Sequence, residues 1–415
     1  MKFGVLTEEE FEAFAVAFPT ASLLQSAPMA RRRELSGWGH DFVGLKNDAG
    51  KIVAAALLQR WPVALGYVEY ECLQGPLVDF NNLQLASLFL NELREFTAQK
   101  KALKLTINPN ILAQHWGEDR TKLDDGYASF KYIELLRSAG FHQVATARVD
   151  MTESMFRWFF VKNLQAIKSS DELLASYAQQ TRWSIRKSQK SGVHVREIGI
   201  QELPVFMKIM QATEDRRGYS GHDEAYYAAM VEQFGRERVK LLVAEVHVAD
   251  YEAATRQLIE NETKNLAVAT QLEDKKKAAT AERVAQEALD HYTALLDEIA
   301  EMAKSGATLP IAAAMFVLYG KEMSYVISGA LKQYAKYCGP YAIQWYAQQY
   351  AVKHSVVRFN FFGTKGNHSG TPSQEGIYKF KAGFGGVLEE QLGYFEVSFH
   401  PILLAIKNTL RSLRR

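Results

Sequence analysis

GIYKFKAGFGG, Gly376–Gly386, and the run before it, VVRFNFFGTKG, Val356–Gly366, decide how this chain is read. In the earlier run Val357, Phe359 and Phe361 alternate with Arg358, Asn360 and Phe362, and the alternation stops at Gly363. A period of two is that of a half-buried strand. In the later run Phe380 separates Lys379 from Lys381, and glycines follow. Read as an extended segment, it places both ammonium groups on one side and Phe380 on the other. A fixed cation beside closely approaching backbone suits chemistry on an oxyanion or a phosphate. The alternative is a surface strand with solvated lysines and turn glycines.

Outward from this stretch, the 415 residues have room for two or three domains. A content of 47% hydrophobic and 12% aromatic residues is enough for real cores. The formal net charge of +2 does not describe a polyanion binder, so any nucleic-acid contact comes from local patches, and nothing points to DNA. Cys72 and Cys338, far apart, make neither a disulfide framework nor a zinc site. The start, MKFGVLTEEEFEAF, turns acidic by Glu8, unlike a secretory signal. No apolar run approaches the roughly 18 residues of a membrane span. A reduced, cytoplasmic setting with no metal and no cofactor is expected.

Taken in order, the chain alternates helices and strands, including a strand at ARVDMTES, residues 147–154. The texture changes between Arg236 and Ser305, where there is no glycine and no proline. A heptad can be laid on Tyr251, Leu258, Asn265 and Leu272 with Ala254, Asn261 and Val268. After a polar tip it resumes as Ala281, Ala285, Ala288, Tyr292, Leu295, Ile299 and Met302. This predicts an antiparallel helical hairpin, a coiled-coil arm with limbs of roughly 35 Å. Two segments also repeat one order of elements. IVAAALL, residues 52–58, and PIAAAMF, residues 310–316, each open a strand hairpin followed by a helix and a further strand. The predicted class is α/β, two copies of one unit with the arm inserted in the second.

Several chemistries lack their motifs: there is no Walker loop, no dinucleotide fingerprint, no H-E-x-x-H and no C-x-x-C. Arg137–His142 and Gln189–His194 approach the glycine-rich loop that cradles an acyl-CoA pyrophosphate, but both end in histidine, so acetyl-CoA is not the expected donor.

GPYAIQWYAQQYAVKHSVVRFNFFGTKG, then GIYKFKAGFGG, then Gly393-Tyr394-Phe395, resembles the Fem family (FemABX) of peptidoglycan interpeptide-bridge aminoacyltransferases, in its arm-containing form. Leu24-Gln25-Ser26, Gln74-Gly75-Pro76 and the run Arg182–Val193 agree, so the resemblance spans nearly the whole chain. It implies two tandem GNAT-like acyltransferase domains: 1–147 completed by 388–415, then 148–248 with 307–387, and the arm at 249–306. It implies an aminoacyl-tRNA donor and a stem-peptide amine as acceptor, on a muramyl pentapeptide carried by lipid II or by UDP. Lys381 matches the lysine of the family's F-K-x-x-F element and becomes the cation beside the oxyanion, with Lys379 as its substitute. Arg33 or Arg32 stands where the family binds phosphate, and Tyr226 resembles a substrate-contacting tyrosine.

Two departures matter. Asn108-Pro109 replaces an Asp-Pro, and an amide cannot be a general base, so Asn108 positions the acceptor or the proton goes elsewhere. His222 stands where relatives tend to carry arginine four residues before the tyrosine. For tRNA, the arm carries seven Lys/Arg against eleven Asp/Glu over 251–306, and only its tip, Lys275, Lys276 and Lys277, is basic. Arg182, Arg186, Lys187 and Lys190 are equally good candidates. The segment 400–415 reads as a basic amphipathic helix that packs on the first domain or lies on an anionic membrane face. A non-catalytic tRNA- or precursor-binding protein on the same fold, and a transferase acting on protein N-termini, are the competing readings.

Overall fold

A computed structural model describes residues 1–117, 119–123, 129–144, 157–364 and 372–412. Fifteen strands are named among them: β1 (Lys2–Val5), β2 (Gly39–Lys46), β3 (Ile52–Pro62), β4 (Val68–Leu73), β5 (Ala102–Asn108), β6 (Leu112–Trp116), β7 (His142–Gln143), β8 (Trp158–Asn163), β9 (Val193–Glu197), β10 (Val239–His247), β11 (Thr308–Tyr319), β12 (Glu322–Ala330), β13 (Arg358–Gly363), β14 (Val387–Gln391) and β15 (Phe395–Ser398). They form two sheets, ordered β1-β2-β3-β4-β5-β15-β7 and β6-β14-β8-β13-β12-β11-β10-β9. The strand expected at 147–154 lies outside the described residues.

The repeat is visible in the pairing. The antiparallel run β2-β3-β4 is followed by the helix Leu83–Gln99 and by β5, parallel to β4. The antiparallel run β10-β11-β12 is followed by the helix Gly339–Lys353 and by β13, parallel to β12. The two alanine triplets sit in matching places. Ala54 and Ala56 face one core and Ala55 another; Ala312 and Ala314 face one core and Ala313 another. Helices cover both faces of each sheet at these strands, and small side chains let them approach.

The units interlock, which corrects the sequence-based boundaries. β6, from the first segment, pairs with β14 in the second sheet. β14 includes residues 388–391, which the sequence assigned to the first domain; the chain returns to the first sheet only at β15, paired with β5. The apolar pattern of a strand says which face is buried, not which sheet receives it. Glu12 adds a link, accepting from Arg238 and from the Tyr319 hydroxyl, both at 3.0 Å.

The helices Val248–Ala269 and Lys275–Ala303 pack along one another, about 33 Å and 43 Å long at ~1.5 Å per residue. The second helix buries the seam read from its sequence, centred on Ala285, Ile299 and Met302. The first does not: Tyr251 is buried, but Thr255 and Ala269 replace Ala254 and Val268, while Asn261 and Asn265 are exposed. In so polar a helix, close approach of the alanine-rich partner selects small residues. At the root, Gly192 has φ +63, and a Cβ there would lie 2.8 Å from the His247 carbonyl oxygen and the Tyr251 nitrogen. That glycine serves the packing of the root, not a pyrophosphate loop.

β13 is fixed by its first residue. Arg358 donates to Glu322 at 2.7 Å and, through both terminal nitrogens, to the two oxygens of Glu389 at 2.7 Å. Burial alone would raise the Glu389 carboxyl, but Arg358 and then His115 bring it down to about 2. A depressed carboxylate stabilises the fold above the ordinary carboxylate range and loses that contribution as pH falls from about 4 towards 2. Arg358→Leu leaves Glu389 buried without its partner. It should cost about 3 kcal/mol in urea unfolding at pH 7, below a fully buried pair because the guanidinium keeps some exposure to water, and the difference from wild type should shrink near pH 3.

Candidate active site

The Lys379–Lys381 segment is not extended. It lies in a helix, Pro372–Ala382, and two residues apart on a helix is roughly 200°. Lys379 is exposed and Lys381 is 7% exposed. The buried positions Tyr378, Lys381 and Ala382 follow helical spacing, with the Tyr378 ring edge-on to Phe160 at 4.8 Å. The alternation Lys-Phe-Lys concealed it.

The Lys381 ammonium donates to two backbone carbonyls, Phe362 at 3.1 Å and Gly363 at 2.8 Å. These carbonyls belong to an irregularity in β13, where the pairing with β8 slips between Asn360 and Gly363 and Phe362 takes φ +62. Asn360 holds the bend: its Oδ1 accepts from the Phe362 N–H at 2.8 Å, and its Nδ2 donates to Glu322 at 3.0 Å. An unusual backbone conformation thus turns two carbonyls onto one ammonium. Burial, and then the charge of Arg217, push Lys381 down to about 7. Among the described residues it has no carboxylate partner. Arg217 was not anticipated; it ends the helix Leu203–Arg217 just before Gly218.

A second buried lysine was also missed. Lys162 donates to Ser176 at 2.6 Å and to the Phe384 carbonyl at 2.7 Å, and burial lowers it to about 8. It pins the turn after the Lys381 helix. Phe384 itself is fully buried among Tyr177, Tyr341, Phe361 and Phe380.

Three expected residues come together across the two units. The Arg32 guanidinium lies 4.2 Å over the Tyr226 ring, and the His222 ring stacks on the same tyrosine at 3.7 Å. Desolvation first, and Arg32 second, lower the His222 pKa, which favours the neutral imidazole. Ser26 places Arg32 by capping the helix Ala27–Glu34: its Oγ accepts from the Met29 N–H at 3.2 Å and donates to the Leu23 carbonyl at 2.6 Å. Tyr226 and Phe362 pack against the same apolar cluster as Leu23, Met29 and Met210, which ties this stack to the Lys381 bend. Arg33 points elsewhere. It donates to Glu71 at 3.2 Å and to Gln59, and lies 3.7 Å over Trp38. Of the two arginines, Arg32 is the one at the stack.

Asn108 does not reach this region as a free amide. It is fully buried; its Oδ1 accepts from Gln74 at 2.7 Å and its Nδ2 donates to the Gly393 carbonyl at 3.1 Å. Gln25, also buried, bonds to both backbone groups of Leu57 and to the Leu73 carbonyl. A Cβ on Gly75 would sit 2.6 Å from the Gln25 side chain. These motif residues hold strand ends together.

The helix Gln179–Lys190 presents exposed Arg186 and Lys190, with Lys187 4.9 Å over the half-exposed ring of Trp183. Arg182 instead turns back to the carbonyls of Tyr177 and Ala175. Trp183 was overlooked; an exposed aromatic amid cations is the usual platform for a nucleobase. Lys275, Lys276 and Lys277 are exposed at the arm tip, where Asp274 caps the helix and pairs with Lys277.

A family model described as the FemAB family matches residues 6–412. The chain belongs to the FemAB family. It is 26% identical over 419 residues to the aminoacyltransferase FemA of Staphylococcus aureus strain MRSA252, covering 100% of this chain and 99% of the relative. It is 26% identical over 424 residues to the aminoacyltransferase FemA of Staphylococcus epidermidis strain RP62A, covering 100% of both. The crystal structure of FemX shares its fold, with a TM-score of 0.79 at 20% identity over 98% of this chain and 99% of that one. This FemAB chain is therefore an aminoacyltransferase, which sets aside the non-catalytic reading.

If Arg32 acts on His222 as the stack indicates, Arg32→Gln should raise the His222 pKa, followed through its Cε1 proton by NMR; Arg33→Gln should leave that titration unchanged.

Proposed function

We propose that this FemAB chain moves an aminoacyl group from aminoacyl-tRNA to an amine on the stem peptide of a peptidoglycan precursor, extending an interpeptide bridge. The acceptor is a muramyl pentapeptide, lipid-linked as in lipid II in preference to UDP-linked. The GNAT-like reading of each unit belongs to the same proposal and is supported by the repeated hairpin, helix and parallel strand.

The observation that carries it is the buried Lys381 ammonium. Two of its three N–H groups are taken by the carbonyls of Phe362 and Gly363, which aim the third. In the reaction the acceptor nitrogen attacks the ester carbonyl, a C–N bond forms, and the carbonyl oxygen becomes an oxyanion. The C–O bond to the ribose then breaks, and the proton lost from nitrogen ends on the ribose oxygen. A cation in a water-poor site stabilises the oxyanion at little reorganisation cost. Nothing in this route uses Asn108 as a base. Arg32, with Tyr226 and His222, receives the acceptor's phosphate, and Arg186, Lys187 and Lys190 with Trp183 meet the tRNA; Lys275–Lys277 are a second tRNA-binding patch.

Transfer of radiolabelled alanine, serine or glycine from charged tRNA to a lipid-linked muramyl pentapeptide tests this. Lys381→Ala should lower kcat by about 10²–10³-fold; equal transfer by the variant would remove Lys381 from the chemistry. Because the cation is the active form and it titrates near 7, wild-type kcat should fall as pH rises through that value, and Lys381→Arg should lack that limb.

For the donor, Arg186→Ala with Lys190→Ala should raise KM for aminoacyl-tRNA with little change in kcat. The slope of log affinity against log salt should become shallower by roughly one for each cation removed from the phosphate backbone.

A further inference from the structure

The helix Pro401–Ser412 presents its apolar stripe outwards. Ile402, Leu403, Ile406 and Leu410 are 76%, 36%, 52% and 54% exposed. The side that meets the protein is the one carrying Leu404 and Lys407, the latter paired with Glu69 at 2.5 Å. The helix is therefore docked on the first sheet through a salt bridge, with its hydrophobic stripe left over. A soluble helix of this composition normally does the reverse.

The neighbouring elements continue the same surface. The His400 ring meets Tyr67 at 5.1 Å, in the turn of the β3–β4 hairpin. The tip of that hairpin holds Leu65 at φ +61 and 88% exposed. The Lys101 carbonyl accepts from the Val68 N–H at 3.2 Å, which brings exposed Lys100 and Lys101 beside it. Charge is one-sided: residues 400–415 contain Lys407, Arg411, Arg414 and Arg415 and no Asp or Glu.

From these observations we infer that this face seats the protein on an anionic lipid bilayer, with the helix lying in the headgroup plane and Leu65 entering beside it. An apolar stripe beside the exposed Lys100 and Lys101 matches the boundary between acyl chains and anionic headgroups. A second copy fits poorly, since face-to-face pairing would bring like charges together. The surface also adjoins the candidate acceptor site. Glu69 and Glu71 lie two residues apart on β4 and so on one side of the sheet; Glu69 holds Lys407 and Glu71 holds Arg33. Arg33 is next in sequence to Arg32, and the exposed Trp61 packs on Trp38 over Arg33 at 5.2 Å between ring centres. A bilayer on this face would present headgroup phosphates at the level of Arg32. That orientation rests on the proposed lipid-linked acceptor; the bilayer contact itself does not.

Sedimentation of the full chain with vesicles tests it, using equimolar phosphatidylglycerol and phosphatidylcholine against phosphatidylcholine alone. Wild type should bind the anionic vesicles at least about tenfold more tightly, and the preference should fade with salt. Leu65→Asp with Ile406→Asp should lose about tenfold or more in binding while keeping the wild-type melting temperature and its transfer to a soluble UDP-linked acceptor. Arg411→Gln, Arg414→Gln and Arg415→Gln together should abolish the preference for anionic lipid. Equal binding by wild type and the Leu65/Ile406 variant, no binding by wild type, or a concentration-dependent dimer lost in Ile406→Asp would each overturn the inference. If wild type binds as expected but transfers to no acceptor, the proposed function fails and the bilayer contact stands.

Discussion

The guanidinium of Arg358, clamped between Glu322 and Glu389, is the interaction on which the rest of the site depends. It joins β12, β13 and β14, and β13 and β14 bracket the helix that carries Lys381. Fixing β13 sets the carbonyls that face the helix, and fixing β14 holds the chain that leaves it. Asn360, two residues along, uses the same Glu322 and holds the bend of Phe362. One charged network thus sets the carbonyls that receive Lys381. A looser strand pair would leave the ammonium to find water, and its acidity would return towards that of an ordinary lysine.

Much of this fold was legible in the residues. The alternation of Phe359 and Phe361 carries a period-two signal, the two alanine triplets mark a repeat and the glycines mark turns, and all three survive in the structure. What failed had definable causes. Lys379-Phe380-Lys381 alternates like a strand, yet the segment is a helix, since burying Tyr378, Lys381 and Ala382 together requires helical spacing. The first arm helix has too few apolar residues for its seam to be chosen by hydrophobicity. β6 and β14 cross between units, a matter of topology that local pattern does not encode. Arg32 and Arg33 are indistinguishable in sequence; only the position of Glu71 and Trp38 separates them.

The residues at the family's motif positions, matching or departing, divide into two kinds. Gln25, Gly75, Asn108 and Phe384 are buried, with their polar groups or their shape committed to neighbouring backbone. They hold strand ends and the turn after the Lys381 helix, which explains a strong sequence signature without assigning it chemistry. Arg32, His222, Tyr226 and Lys381 are different. Cation, imidazole and phenol are stacked where the two units meet, and the ammonium lacks an acidic partner among the described residues. Asn108 illustrates the distinction: its place in the motif suggested a role with substrate, and its hydrogen bonds give it one with Gly393.

Lys381 also argues for function through its cost. A lysine depressed to about 7 has its folded pKa below that of the unfolded chain. Between that value and the ordinary lysine range the unfolded state binds more protons, so stability rises with pH there, and below about 7 the full penalty of a buried ammonium is present. A methionine in the same space would avoid this. Structural lysines are generally paired or left to reach solvent, whereas this one is enclosed beside bent backbone. A penalty kept at neutral pH, with no ion pair among the described residues to offset it, is the arrangement expected of a group whose charge is used during a reaction.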